Sequence, residues 1–190
     1  MSRTVDIALE TLTHEAFAPF GAVLSPPKTE PAWKRPGHES WRFQDFDMDG
    51  TLDLKVSRFF HKPFEFSMME RHLTYTETRM PLSGAQAIFV AAPSRDWKDM
   101  NELPDPASLR AFLLDGSQGL LAAKGTWHAL DTFPVKPPHA TFVILTEKET
   151  QLEIEHASNP ETTARSHVAD YAPSGIKVRV VDPKGLLGKK

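Results

Sequence analysis

Apolar and polar residues alternate with a period of two in several short stretches separated by turn residues, a pattern that predicts β-strands. The clearest is Leu52-Asp53-Leu54-Lys55-Val56-Ser57-Arg58-Phe59. Trp41-Arg42-Phe43-Gln44-Asp45-Phe46 alternates in part, and Asp49-Gly50 between the two predicts a turn joining antiparallel strands. Further strands are expected over residues 64–72, 85–92 (stopped by Pro93-Ser94), 112–114 and 140–146, the last followed by a strand Gln151-Leu152-Glu153-Ile154-Glu155. Helical signals are few. Thr13 is a candidate N-cap for one or two turns closed by Pro19 and Gly21, which feed the strand Ala22-Val23-Leu24. A helical turn over 106–111 precedes 112–114, and Asp115-Gly116 marks the next turn. Residues 25–38 carry Pro26, Pro27, Pro31 and Pro36 without apolar periodicity, so a surface loop long enough for a lid is expected. Residues 159–174 read as a polar loop, and 176–181 as a final edge strand with outward charges. Strands at this spacing point to an all-β sandwich or barrel.

Composition narrows this picture. A chain of 190 residues suits a single domain, here 1–190, with one core. The absence of cysteine excludes disulfides, thiolate metal sites and a thiol nucleophile, so any metal must be held by His and carboxylate groups. The start Met1-Ser2-Arg3-Thr4-Val5-Asp6 lacks a signal-type apolar run, and no segment has the apolar length to span a bilayer, so a cytoplasmic protein with no membrane partner is expected. Net charge is −3 with acids and bases mixed, leaving no basic stripe for nucleic acid.

The chemistry concentrates in two segments about fifty residues apart. Upstream is Met69-Glu70-Arg71-His72-Leu73-Thr74-Tyr75-Thr76-Glu77, and downstream Gly125-Thr126-Trp127-His128. Glu70 and His72, two apart on a strand, share one face and can converge on one ligand. Glu77 has the opposite parity, so it joins them only if a turn or bulge falls within 73–76, which would also bring Arg79 to its side. The bland alternative is that Glu70 and Glu77 are solvated strand residues. His72, Glu77 and Gly84 keep the spacing of the second half of the first cupin motif, with Glu70 where its first His usually stands. Gly125 and His128 match the glycine and histidine of the second motif, while Ala123 takes its proline position.

Phe17-Ala18-Pro19-Phe20-Gly21, Glu70-Arg71-His72, Pro81-Leu82, the run 111–119 and Gly125-Thr126-Trp127-His128 together resemble the ureidoglycolate lyase family, in order and at compatible spacing over roughly residues 10–150. The resemblance implies a cupin-like β-barrel of two packed antiparallel sheets, dimeric in most members. It implies action on a small carboxylate to give glyoxylate and urea, with a divalent metal in some members. The chain departs from the family where Ala122-Ala123 replaces a Tyr-His pair, Ala129 a second His, Glu77 a Gln and Arg79 an aromatic residue.

An elimination of this kind needs a base for the carbinol proton, an acid for the departing ureido nitrogen and a cation for the carboxylate. His128 or Glu77 is the candidate base, Lys124 the acid or a carboxylate partner, and Arg79 a bidentate carboxylate anchor. His72 and Trp127 complete the expected substrate contacts. A metal held by His72, Glu77 and His128 is the alternative use of the same groups, and such N/O ligands suit nickel, manganese, iron or zinc. His14, His38, His61, His139, His156 and His167 are assigned to surface or local structure. The rival readings are a metal-dependent cupin acting on another small acid and a non-catalytic small-molecule-binding cupin.

Overall fold

A computed structural model describes residues 3–157 and 160–188. Two curled sheets carry the fold, as the all-β, cupin-like reading expects. The larger runs in the order Ser166–Asp170, Met68–His72, Trp127–Ala129, Ala87–Ala92, Arg110–Leu114, Arg3–Thr11, Ile176–Val181, Glu65–Phe66, with Phe133–Pro134 also pairing on Ala87–Ala92. The smaller runs Gly21–Leu24, Gly119–Ala122, Glu77–Pro81, His139–Glu147, Leu52–Phe60. The larger sheet is mixed rather than antiparallel, because Arg3–Thr11 pairs in parallel with both Arg110–Leu114 and Ile176–Val181.

The apolar run of Ala87–Ala92 follows from its position. Ile88, Val90 and Ala92 enter one buried cluster, with Trp127, Leu113 and Val178, while Ala87, Phe89 and Ala91 enter another, with Phe17, Phe20 and Phe112. A strand covered on both faces has no reason to alternate. The second cluster is bound by edge-on aromatic contacts, including Phe17 to Phe112 at 5.3 Å and 84°, so truncating Phe112 to Ala should cost about 3–5 kcal/mol.

Local rules account for several elements. Thr13 caps His14–Phe17, its Oγ1 accepting from the Ala16 amide at 3.1 Å, and the expected turn near residue 106 is a 3-10 turn, Pro106–Ser108. Elsewhere tertiary context overrides the pattern. Residues 41–46 form no strand; Phe43 is exposed and stacks on His14. Leu52–Phe60 pairs instead with His139–Glu147 over nine residues. Residues 151–155 lie in the helix Lys148–His156, since five residues of alternation fit either period and the flanking Lys148-Glu149-Thr150 continues the helix. The expected strand 64–72 breaks at Ser67 into Glu65–Phe66 and Met68–His72.

At the C-terminal end, the polar stretch expected to be loop contains the strand Ser166–Asp170, made by its pairing with Met68–His72; Asn159 lies outside the described residues. Ile176–Val181 is not an edge, because it pairs on both sides. Its exposed Lys177 and Arg179 mark a wet face, not an open rim. Residues 25–38 are largely exposed, and from Trp33 they enter a small hairpin, Trp33–Arg35 with His38–Ser40. None of them lines the cavity described next, so the lid expectation is not met.

Candidate active site

Between the two sheets lies a cavity of about 560 Å³ whose wall includes Lys55, Glu70, His72, Glu77, Arg79 and Gln151. Register builds it. In the larger sheet His128 sits directly opposite Glu70, and the carboxylate Oε1 lies 3.8 Å from the His128 Nδ1. Met68–His72 then ends, residues 73–76 turn across to the smaller sheet, and Glu77–Pro81 starts there with Glu77 and Arg79 facing in. The turn is the parity break that Glu77 required. It is pinned from below: Thr74 Oγ1 donates to the buried Glu147 at 2.5 Å, and Thr76 N donates to Asp47 O at 2.7 Å. The two motif halves are tied directly by the Gly125 amide donating to His72 O at 2.8 Å.

Both imidazoles are oriented. His128 Nδ1 donates to Ala129 O at 3.0 Å, which leaves Nε2 with the lone pair and no partner among the described residues. Ser166 Oγ lies 3.4 Å from Arg71 O and 3.2 Å from His72 Nδ1. Donating its hydroxyl to the carbonyl, it accepts from Nδ1, and His72 Nε2 is left free. The two Nε2 atoms lie 3.5 Å (His128) and 3.8 Å (His72) from Glu77 Oε2, itself buried without a hydrogen-bond partner.

Burial sets the charges. It pushes His72 down to about 3 against the pull of Glu77, and lowers His128 as well. It raises Glu70 to about 8, with the neighbouring Glu77 charge adding to the effect. Burial would raise Glu77 too, but Arg79 above all, with both histidines, holds it at about 2. At neutral pH the site therefore presents two neutral imidazoles, a protonated Glu70 and an ionised Glu77.

The predicted residues divide accordingly. His72, Glu77, Arg79 and His128 are brought together; Lys124 and Trp127 are not. Lys124 Nζ is 3.1 Å from both Asp47 and Asp49, away from the cavity wall, because the 41–50 segment folds back over it. Trp127 is fully buried under the Arg71 guanidinium, 4.5 Å from its ring centroid, and packs in the core. Arg79 faces in, but its guanidinium already has an anion, Glu77 Oε1 at 2.6 Å. Its Nε is buried without a hydrogen-bond partner among the described residues. Glu70 joins His72 and His128 in a group whose ligand atoms all lie within 4.8 Å of one another, so a second carboxylate stands beside the two imidazoles together with Glu77.

A metal can be judged against this donor set. The free Nε2 atoms, each with its Nδ1 tied to an outer partner, and a carboxylate beside them are the arrangement by which proteins orient histidine ligands. The residues present fit a divalent ion. Sequence reasoning missed Lys55 and Gln151, which enter the cavity from the Leu52–Phe60 strand and the Lys148–His156 helix. The signal for Lys55 was its shared parity with Phe59 on an alternating strand.

Residues 4–165 match the family model described as ureidoglycolate lyase. Proteins named ureidoglycolate lyase from Burkholderia mallei (34% identical, 64% of this chain and 72% of that protein), Burkholderia cepacia (36%, 67% and 73%) and Brucella anthropi (31%, 64% and 72%) are similar to it. A solved structure of RmlC from Streptococcus suis in complex with dTDP-D-xylose overlaps 55% of this chain and 47% of its own at a TM-score of 0.38 and 10% identity, too partial a likeness to bear on the site. The family match runs through both histidine-bearing segments and the strands that present them, and the chain belongs to the ureidoglycolate lyase family.

Proposed function

We propose that the protein is a carbon–nitrogen lyase that splits ureidoglycolate into glyoxylate and urea. The observation that carries this reading is the convergence of Glu70, His72 and Glu77 at one cavity, with His128 3.5 Å from Glu77, in a chain of this family. The reaction moves one proton and breaks one bond. The carbinol hydroxyl loses its proton, its electron pair forms the aldehyde carbonyl, the C–N bond breaks, and the ureido nitrogen takes a proton to leave as urea. Glu70, protonated at neutral pH, is suited to supply that proton. His72 Nε2 faces the cavity and can take the hydroxyl proton. Glu77, fixed by Arg79, then stabilises the imidazolium from 3.8 Å. His128, absent from the cavity wall, stands behind this pair, which moves the base from His128 and Glu77 to His72.

An imidazole held down to about 3 is a reluctant base, and that favours a second use of the same atoms. A nickel, manganese, iron or zinc ion held by His72, His128 and Glu70 would acidify the substrate hydroxyl. Glu70 cannot be ligand and proton donor together. Purified protein assayed for glyoxylate release from ureidoglycolate, with chelator and with each added metal, separates the cases: release under chelation supports Glu70 as donor, and release only with metal supports Glu70 as ligand. No release under any condition overturns the lyase reading. Undiminished metal content in both His72→Ala and His128→Ala would rule out this metal site.

A cytoplasmic location and a homodimer complete the proposal. Among the described residues no helix is long and apolar enough to cross a membrane. A dimer is supported by the outer face of the Leu52–Phe60 strand, where Leu54, Val56 and Phe60 are each about two-thirds exposed. Contiguous apolar surface on a strand is a mark of association.

A further inference from the structure

We propose that Lys55 is the anchor for the substrate carboxylate and sets the preference of the site for an anionic substrate, an inference that rests on the lyase reading above. The argument is an account of cations around the cavity. Arg79 is paired with Glu77 at 2.6 Å. Lys62 is paired with Asp131, and both are half-exposed at the rim. Arg58 also lines the cavity, but from an exposed position of its strand where water solvates it, and Lys124 is held by Asp47 and Asp49. Lys55 is different. On the alternating Leu52–Phe60 strand it shares its half-buried parity with Asp53, Ser57 and Phe59, and it lines the cavity with Glu70, His72, Glu77 and Arg79.

Among the described residues Lys55 has no carboxylate within 4.0 Å; its hydrogen-bond partner is the neutral side-chain carbonyl of Gln151, a buried residue on the Lys148–His156 helix. Burial lowers the ammonium, with Glu77 and Glu70 pulling it back up and Arg79 opposing them. A half-buried cation beside a neutral acceptor is the incomplete half of an ion pair. A substrate carboxylate completes it. This placement leaves the other end of the substrate toward Glu70 and His72, which share the same wall, and the Lys55–Gln151 contact holds the ammonium in position before substrate arrives.

The test compares wild type with Lys55→Met and Lys55→Arg, with folding of each checked by circular dichroism and thermal melting. Lys55→Gln stands in if Lys55→Met does not fold. Glyoxylate binding is measured by calorimetry, with neutral glyoxylamide as the uncharged probe, and turnover is measured on ureidoglycolate. Lys55→Met should weaken glyoxylate binding and raise KM by roughly ten- to hundredfold, the range for a lost hydrogen bond to a charged group. Glyoxylamide binding and kcat should change far less, and Lys55→Arg should restore part of the glyoxylate affinity. Wild-type glyoxylate affinity in folded Lys55→Met, or equal losses for glyoxylate and glyoxylamide, overturns Lys55 as the anchor. Glyoxylate binding that depends on Lys55 in a wild-type protein that releases no glyoxylate from ureidoglycolate keeps the anchor and overturns the lyase reading instead.

Discussion

Glu77 and Arg79 belong together as residues, because their charges are buried as a pair. Each is buried, and each is the other's counter-ion at 2.6 Å. Removing one partner leaves an uncompensated buried charge, whereas replacing both with uncharged groups removes two desolvation penalties at once. Glu77→Gln alone should therefore destabilise by about 3 kcal/mol, and Glu77→Gln with Arg79→Phe should recover most of that loss in urea denaturation; a double variant no better than the single one would break the pairing argument. The charges also fix a pH dependence for the metal-free protein. Glu77 is held at about 2, so its stabilisation is complete above its ordinary value of 4.5 and is lost as pH falls toward 2. His72, held neutral down to about 3, likewise destabilises the fold as pH falls from 6.5 toward 3. Glu70 acts oppositely. Raised to about 8, it keeps its proton where the unfolded chain has lost it, so stability declines between pH 4.5 and 8. Glu70→Gln should thus gain Tm relative to wild type as pH rises from 5 to 8, and a constant Tm difference across that range would refute the shift. Residue identity made His72, Glu77 and His128 legible, since motif spacing records them. Lys124 and Trp127 lie off the cavity wall because proximity to the motif does not reveal their partners, Asp47 and Asp49 for one and Arg71 for the other.

At the scale of elements, the site depends on two strands and the turn that changes the parity between His72 and Glu77. The parity rule foretold that a break must exist within 73–76 but not what would hold it. The holding groups, Glu147 with Thr74, Thr150 and Arg165, are remote in sequence, and their contacts exist only after His139–Glu147 has paired. The same limit explains the errors over 151–155 and 166–170. Five residues of alternation cannot decide between helix and strand, and a polar segment becomes a strand only when Met68–His72 offers an open edge. Gly125 is where the second motif half is fastened. It adopts φ +79°, its amide reaches His72 O, and a Cβ there would stand 2.5 Å from Trp97 Cβ. Gly125→Ala meets both a left-handed backbone and a collision, and should cost about 1–3 kcal/mol from the backbone alone. Because the strain falls between His72 and His128, turnover should drop more than the folded fraction does; measured together by activity per folded molecule, an unchanged value would show that the tie is structural only.

At the scale of the whole molecule, the sequence led to the right class, two packed sheets in one chain, because alternation and turn residues are local signals. It did not lead to the mixed larger sheet, since the parallel pairings of Arg3–Thr11 join it to segments more than half the chain away and nearly the full chain away. Alternation along Leu52–Phe60 also left open which face turns inward. The structure half-buries Asp53, Lys55, Ser57 and Phe59, of which the last three line the cavity, and leaves Leu52, Leu54 and Val56 exposed outside it, with Phe60 exposed at the cavity's margin. An outer face more apolar than the inner one is the reverse of what an isolated barrel requires. The strand is also the last of its sheet, with one hydrogen-bonding edge open, a combination that soluble proteins ordinarily blunt. A second copy related by a twofold axis would cover the same patch on both molecules, because such an interface is self-complementary. Val56→Lys places a charge at the centre of that patch on a side chain that points away from the cavity, so it should convert a dimer to monomer in light scattering while leaving the fold of the monomer intact. Wild-type protein that runs as a monomer at micromolar concentration, or a Val56→Lys dimer as stable as wild type, would remove this face from the interface and leave its exposed leucine, valine and phenylalanine side chains without a partner in the fold.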